Sequence, residues 1–73
     1  MWVKVNQIYA SNGSQNSWAH LNQGTTVIGW RRIKTGAADG VSNVHIALTA
    51  AKVTDRQAYV AIDGSNLITA AYV

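Results

Sequence analysis

The stretch TTVIGWRRIKTGAADGVSNVHIALTAAKVTDRQ (residues 25–57) changes its periodicity halfway along, and that change decides the fold. Its first part, TTVIGWRRIK (25–34), is rich in β-branched and aromatic side chains and reads as a strand. TGAADG (35–40) reads as a loop. In VSNVHIALTAAKVTDRQ (41–57) the spacing becomes helical: Val44, Ala47, Leu48 and Ala51 fall at i, i+3, i+4 and i+7, one apolar stripe. Ser42 is a reasonable N-cap for this helix. Asp39 lies just before it, and Lys52 and Arg56 lie near its C-terminal end, an arrangement that suits the helix dipole.

On the N-terminal side, WVKVNQIYAS (2–11) alternates Val3 and Val5 with Trp2 and Lys4, then slips near Gln7–Ile8, which predicts a strand with a bulge or bend. NGSQN (12–16) opens with the turn pair Asn-Gly, SWAHL (17–21) reads as a second strand, and NQG turns again. On the C-terminal side, AYVAI (58–62), DGSN (63–66) and LITAAYV (67–73) read as a hairpin around Asp-Gly. The predicted class is therefore mainly β with one helix, in the order β-β-β-α-β-β, forming a single domain over residues 1–73. Three strands in a meander, a helix and a hairpin make the layout of a small five-stranded OB-like barrel, whose helix plugs one end. An SH3-like barrel would not place a three-turn helix there, and a ferredoxin-like fold would need a second helix.

Composition narrows the chemistry. A chain of 73 residues is near the lower end of what folds unaided, and with no Cys it has neither disulfides nor thiolate metal sites. Two His (His20, His45) and three Asp (Asp39, Asp55, Asp63), with no Glu, make a metal site or a paired-carboxylate active site hard to assemble. No metal or cofactor is expected. A thin, Ala-rich core without Phe makes self-association the most economical way to bury more surface, so a homo-oligomer is the default expectation. The net charge of +3 permits contact with phosphates or acidic sugars and demands neither. No run approaches the roughly 18 apolar residues of a membrane span. MWVKVNQIYA lacks the regions of a signal peptide, so the expectation is a cytoplasmic chain or a mature chain behind an added Met.

Within the third strand, GWRRIK (29–34) sets a tryptophan beside two arginines. Val27, Gly29, Arg31 and Ile33 share one face, and Ile28, Trp30, Arg32 and Lys34 share the other. With Val27 and Ile33 inward, the outer row is aromatic and basic. In the opposite phase Trp30 is core, with Arg32 and Lys34 towards the barrel mouth. An outer Trp beside Arg can stack a base or a sugar ring while the cation meets a phosphate or carboxylate. The same pair also suits a subunit interface. QIYASNGS (7–14) adds Tyr9, Ser11, Asn12 and Ser14, hydroxyls and amides that suit a sugar or simply form a hairpin tip. Ser42, His45 and Asp39 are close in sequence at a helix start, which reads as capping rather than a catalytic triad, and no nucleophile elbow or phosphate loop is present. No catalytic residue is assigned and no enzyme is expected.

VHIALTAAKVTDRQAYVAIDGSNLITAAYV (44–73), a small-residue helix followed by a polar turn and a strand of the QxYVxI kind, resembles the end of the OB-fold B subunits of AB5 toxins, in particular the subtilase-cytotoxin and pertussis-like group. The likeness covers about residues 41–73 in pattern and the first strand more loosely. It implies a pentameric ring with helices lining the pore, secretion, a toxin-like A subunit as partner, and recognition of sialylated glycans. Tyr9 and Ser11, with Asn12 adjacent, are the local counterparts of the sugar-contacting residues. Three readings follow. The first is a homo-oligomeric glycan-binding module using Tyr9, Ser11, Asn12, Trp30 and Arg32. The second is a structural subunit. The third is a single-stranded nucleic-acid binder using Trp18, Trp30, Arg32 and Lys34, which the modest charge disfavours.

Overall fold

The structure, a computed structural model, describes residues 1–11, 16–36 and 38–73, with residues 38–40 described from the backbone alone. Along the chain run β1 (Trp2–Ala10), β2 (Ser17–Gln23), β3 (Thr26–Arg32), α1 (Ala38–Val53), β4 (Gln57–Ile62) and β5 (Ile68–Tyr72). The turn expected from NGSQN lies largely outside the described residues.

The five strands form one antiparallel sheet ordered β3-β2-β1-β4-β5, so the order across the sheet is not the order along the chain. β1 is the hinge of this arrangement. Its first residues, Trp2 to Lys4, pair with β4, and Lys4 to Ala10 pair with β2. Within the stretch paired to β2 the register shifts at Val5/Gln7, so the bulge falls at Asn6, slightly before its expected place. Period-two alternation then decides what is inside. Val3 and Val5, Ala19 and Leu21, Ala58 and Val60 are buried on one face, which α1 covers with Val41, Val44, Leu48 and Ala51.

The sheet is not the closed barrel that the sequence suggests. Its edge strands, β3 and β5, meet at one isolated parallel bridge, Ile33↔Ile68, where the Lys34 N–H donates to the Ile68 carbonyl at 2.9 Å. Past that point the chain leaves at Thr35–Gly36 to enter α1, and a largely apolar cavity of about 410 Å³ opens between the helix and β5, lined in part by Thr35, Val44 and Ala70.

Two boundaries also need correction. α1 begins at Ala38, inside the expected loop, so Ser42 is an exposed residue within the helix and not its N-cap. The helix ends at Val53 rather than Gln57, leaving Lys52 in the last turn and Arg56 outside it. The reason is local. Asp55 adopts φ 54°, the Arg56 N–H donates to the Ala51 carbonyl at 2.9 Å, and the Asp55 N–H donates to the Lys52 carbonyl at 3.2 Å. This paired closure of a helix end usually takes Gly at the left-handed position, and here Asp fills it.

The phase of β3 is a third correction. Neither of the two phases left open holds along the whole strand: Val27 is 65% exposed, while Ile28 packs against the core. Leu21 pairs with Gly29 and Asn22 with Val27, so Ile28 is an extra residue, and Gly29 at φ 89° absorbs the bulge. Beyond it, Ile33 is buried and Trp30 is 41% exposed, which excludes Trp30 from the core.

Candidate functional site

With the core on one face, the other face of β1, β2 and β3 carries Tyr9, Trp18, His20, Trp30 and Arg32. The register sets them side by side: Tyr9 opposite Trp18, Trp18 opposite Arg32, and His20 opposite Trp30. Tyr9, Trp18 and Trp30 line a shallow concavity of about 330 Å³. The sequence reading had divided these residues, giving Tyr9 to a sugar site and Trp18 to a nucleic-acid face. Strand pairing puts them in one place.

Trp18 and Trp30 are each held by polar or ring contacts. The Trp18 Nε1–H donates to Asn16 Oδ1 at 2.8 Å, and Asn16 Nδ2 donates in turn to Ser11 Oγ at 3.1 Å. Ser11, a predicted sugar contact, thus stands one side chain behind the Trp18 ring. His20 packs edge-on against Trp30, with centroids 5.4 Å apart at 79°. The amide of Asn6 donates to His20 Nδ1 at 3.1 Å, so the bulge residue of β1 orients that imidazole. Rings fixed in this way lose little freedom when a ligand arrives. Asn12 lies outside the described residues.

The cations are dispersed. Arg31 donates from Nη1 to the Trp30 carbonyl at 2.9 Å. Arg32 Nε is buried and has no hydrogen-bond partner among the described residues. Lys34, expected to extend the Trp30–Arg32 row, instead lines the cavity beside β5 and reaches Asp63 at 3.6 Å. Lys4 pairs with Asp55 at 3.3 Å. Asp63 is held below the ordinary carboxylate range chiefly by the Leu67 N–H at its Oδ1; loss of hydration opposes this, and the Ser65 N–H and Lys34 add to it.

His45 meets Ser17 of β2. It shares a 2.7 Å hydrogen bond with Ser17 Oγ, tying α1 to β2. Ser17 is only 4% exposed, which suits a structural tie rather than a nucleophile. The side chain of Asp39 lies outside the described residues. Among the described residues no group of three or more His, Cys, Asp or Glu could hold a metal, and no helix is long and apolar enough to cross a membrane.

Compared with known proteins, the chain matches no family model, no curated sequence and no solved structure. The site therefore stands on its own geometry.

The contributions of His20 and Asn16, and the meeting of Trp18 with Tyr9, were missed in the sequence. The available signal was cross-strand: Trp18 and His20 alternate on one face of SWAHL, and a two-strand register would have set Trp30 and Tyr9 beside them.

Proposed function

We propose that this chain is a non-enzymatic carbohydrate-binding module with an OB-like architecture, acting as a homo-oligomer. One observation carries the binding reading: Tyr9, Trp18 and Trp30 line a single solvent-facing concavity, and Arg32 stands opposite Trp18 on the neighbouring strand. A pyranose offers an apolar face to such rings and hydroxyls to the polar groups around them. A carboxylate on the sugar would meet the Arg32 guanidinium through a charge-assisted bond. The bridge Ile33↔Ile68, which brings the first and last strands of the sheet together, supports the OB-like reading.

The dispersed charge disfavours a nucleic-acid strand as the ligand. Such a ligand needs cations in series along a groove, and Lys4 and Lys34 are both engaged with carboxylates. Self-association is favoured by the outer side of α1, where Ile46, Ala50 and Val53 are exposed at i, i+4 and i+7.

The test is a glycan array probed with the wild type and with Trp30→Ala and Trp18→Ala. Both rings are on the solvent side, so the variants should keep their circular-dichroism spectra while losing signal on carboxylate-bearing glycans. Undiminished binding by both variants, or a wild type that binds no glycan, would overturn the proposal.

A further inference from the structure

A second aromatic group stands on the outer face, at the opposite end of β1. Tyr59 and Tyr72 are stacked with centroids 5.0 Å apart at 15°, and Trp2 meets Tyr59 edge-on at 5.5 Å and 79°. The register explains the contact, since Trp2 pairs with Tyr59 and Tyr59 with Tyr72. Trp2 and Tyr72 remain more than half exposed. Tyr59 covers one face of Tyr72 and braces it, so the cluster presents fixed rings to solvent without being core.

Trp2 and Tyr9 are seven positions apart on one strand, a separation of roughly 20 Å at a strand's rise per residue. Between them β1 shows Lys4 and Gln7, with Asn22 and His20 opposite on β2. The face is thus aromatic at both ends and polar in the middle. A protein-binding patch has the reverse pattern, an apolar centre inside a polar rim. A linear chain of sugar rings fits it, because rings can stack at each end while hydroxyls meet the amides between them. Lys4 pairs with Asp55, which leaves Arg32, opposite Trp18, as the cation of this face that can meet a carboxylate on the ligand.

We infer that Trp2, Tyr59 and Tyr72 form a second sugar platform, and that the ligand is a linear, carboxylate-bearing oligosaccharide running along β1 rather than one terminal sugar. This rests on the carbohydrate reading above and adds the length and shape of the ligand. Two platforms on one chain convert the second contact into an intramolecular one, so affinity should climb with ligand length until both are reached.

The experiment titrates the chain calorimetrically with hyaluronan oligosaccharides, a disaccharide and a decasaccharide, as linear uronic-acid probes. The decasaccharide should bind at least about tenfold more tightly than the disaccharide. Tyr72→Ala should abolish that gain, bringing decasaccharide affinity down to that of the Tyr9–Trp18–Trp30 concavity alone; Tyr72→Leu, which keeps apolar bulk over Tyr59, serves if the first variant is unstable. Trp30→Ala should weaken both ligands. Equal affinity for the two lengths, or a length gain that survives both Tyr72 variants, overturns the second platform and leaves the first site standing. A wild type that binds neither probe, or that binds oligo-dT instead, overturns both.

Discussion

Gly29 is the residue on which the site's orientation turns. Its φ of 89° is a conformation that L side chains rarely adopt, and an added Cβ would meet only Arg31 Nη1 at 4.0 Å. Any cost of substitution is therefore conformational rather than steric. Gly29→Ala should lower stability by about 1–2 kcal/mol, read as a shift of the urea midpoint. Because the bulge sets which way Trp30 points, the same variant should weaken glycan binding more than its stability loss explains; an unchanged affinity would mean that the phase of β3 is held elsewhere. Asp63 makes a different prediction. Its lowered folded-state pKa contributes stability that is present above the unfolded value, near pH 4, and is lost as pH falls through the folded value. Asp63→Asn keeps the Oδ1 acceptor for Ser65 and Leu67 but removes the charge. The gap in urea midpoint between wild type and variant should therefore be larger at pH 7 than at pH 3. A constant gap would detach the acid sensitivity from this carboxylate.

At the scale of elements, the helix separates what is buried within the chain from what it offers to another copy. Leu48 is fully buried against the sheet, and Leu48→Ala should cost about 2–5 kcal/mol. That is a large part of the roughly 4–11 kcal/mol expected of a chain of 73 residues. Such a variant should be largely unfolded at 37 °C by circular dichroism. A well-folded Leu48→Ala would mean the sheet holds together without this contact. The same stripe explains what was legible in the sequence. Val44, Leu48 and Ala51 at helical spacing identified the buried side of α1, and alternation identified Val3 and Val5. The helix ends were not legible, because the C-terminal closure uses Asp55 where a Gly would have signalled it. The phase of β3 stayed open for a related reason: a bulge breaks the period of two, and only the partner strand reveals the extra residue. The candidate site was legible as residue types but not as a set, since Tyr9, Trp18 and Trp30 come from three strands and meet only through their registers.

For the whole molecule, charge placement and assembly decide between partners. A nucleic-acid strand held by six to ten phosphate contacts would lose roughly a thousandfold or more in affinity between about 50 and 200 mM salt. A ligand that meets Arg32 through one carboxylate has a single screened contact, and the same slope per contact gives a loss of about threefold. Titration of a bound acidic oligosaccharide at the two salt concentrations should therefore show the shallow dependence, and a steep one would return the site to nucleic acid. Assembly is read from native mass. If α1 packs against its counterpart in another copy, the wild type should run at a multiple of 7.8 kDa. Ile46→Glu should return it to the single-chain mass with its circular-dichroism spectrum intact, because Ile46 is exposed within one chain and a carboxylate there costs little until another copy buries it. The glycan prediction then sharpens: the monomeric variant should keep its affinity for a free oligosaccharide and lose affinity on a dense glycan surface, where several sites on one particle act together. A wild type already at 7.8 kDa would remove α1 as an interface while leaving the aromatic concavity, which is complete within one chain, untouched.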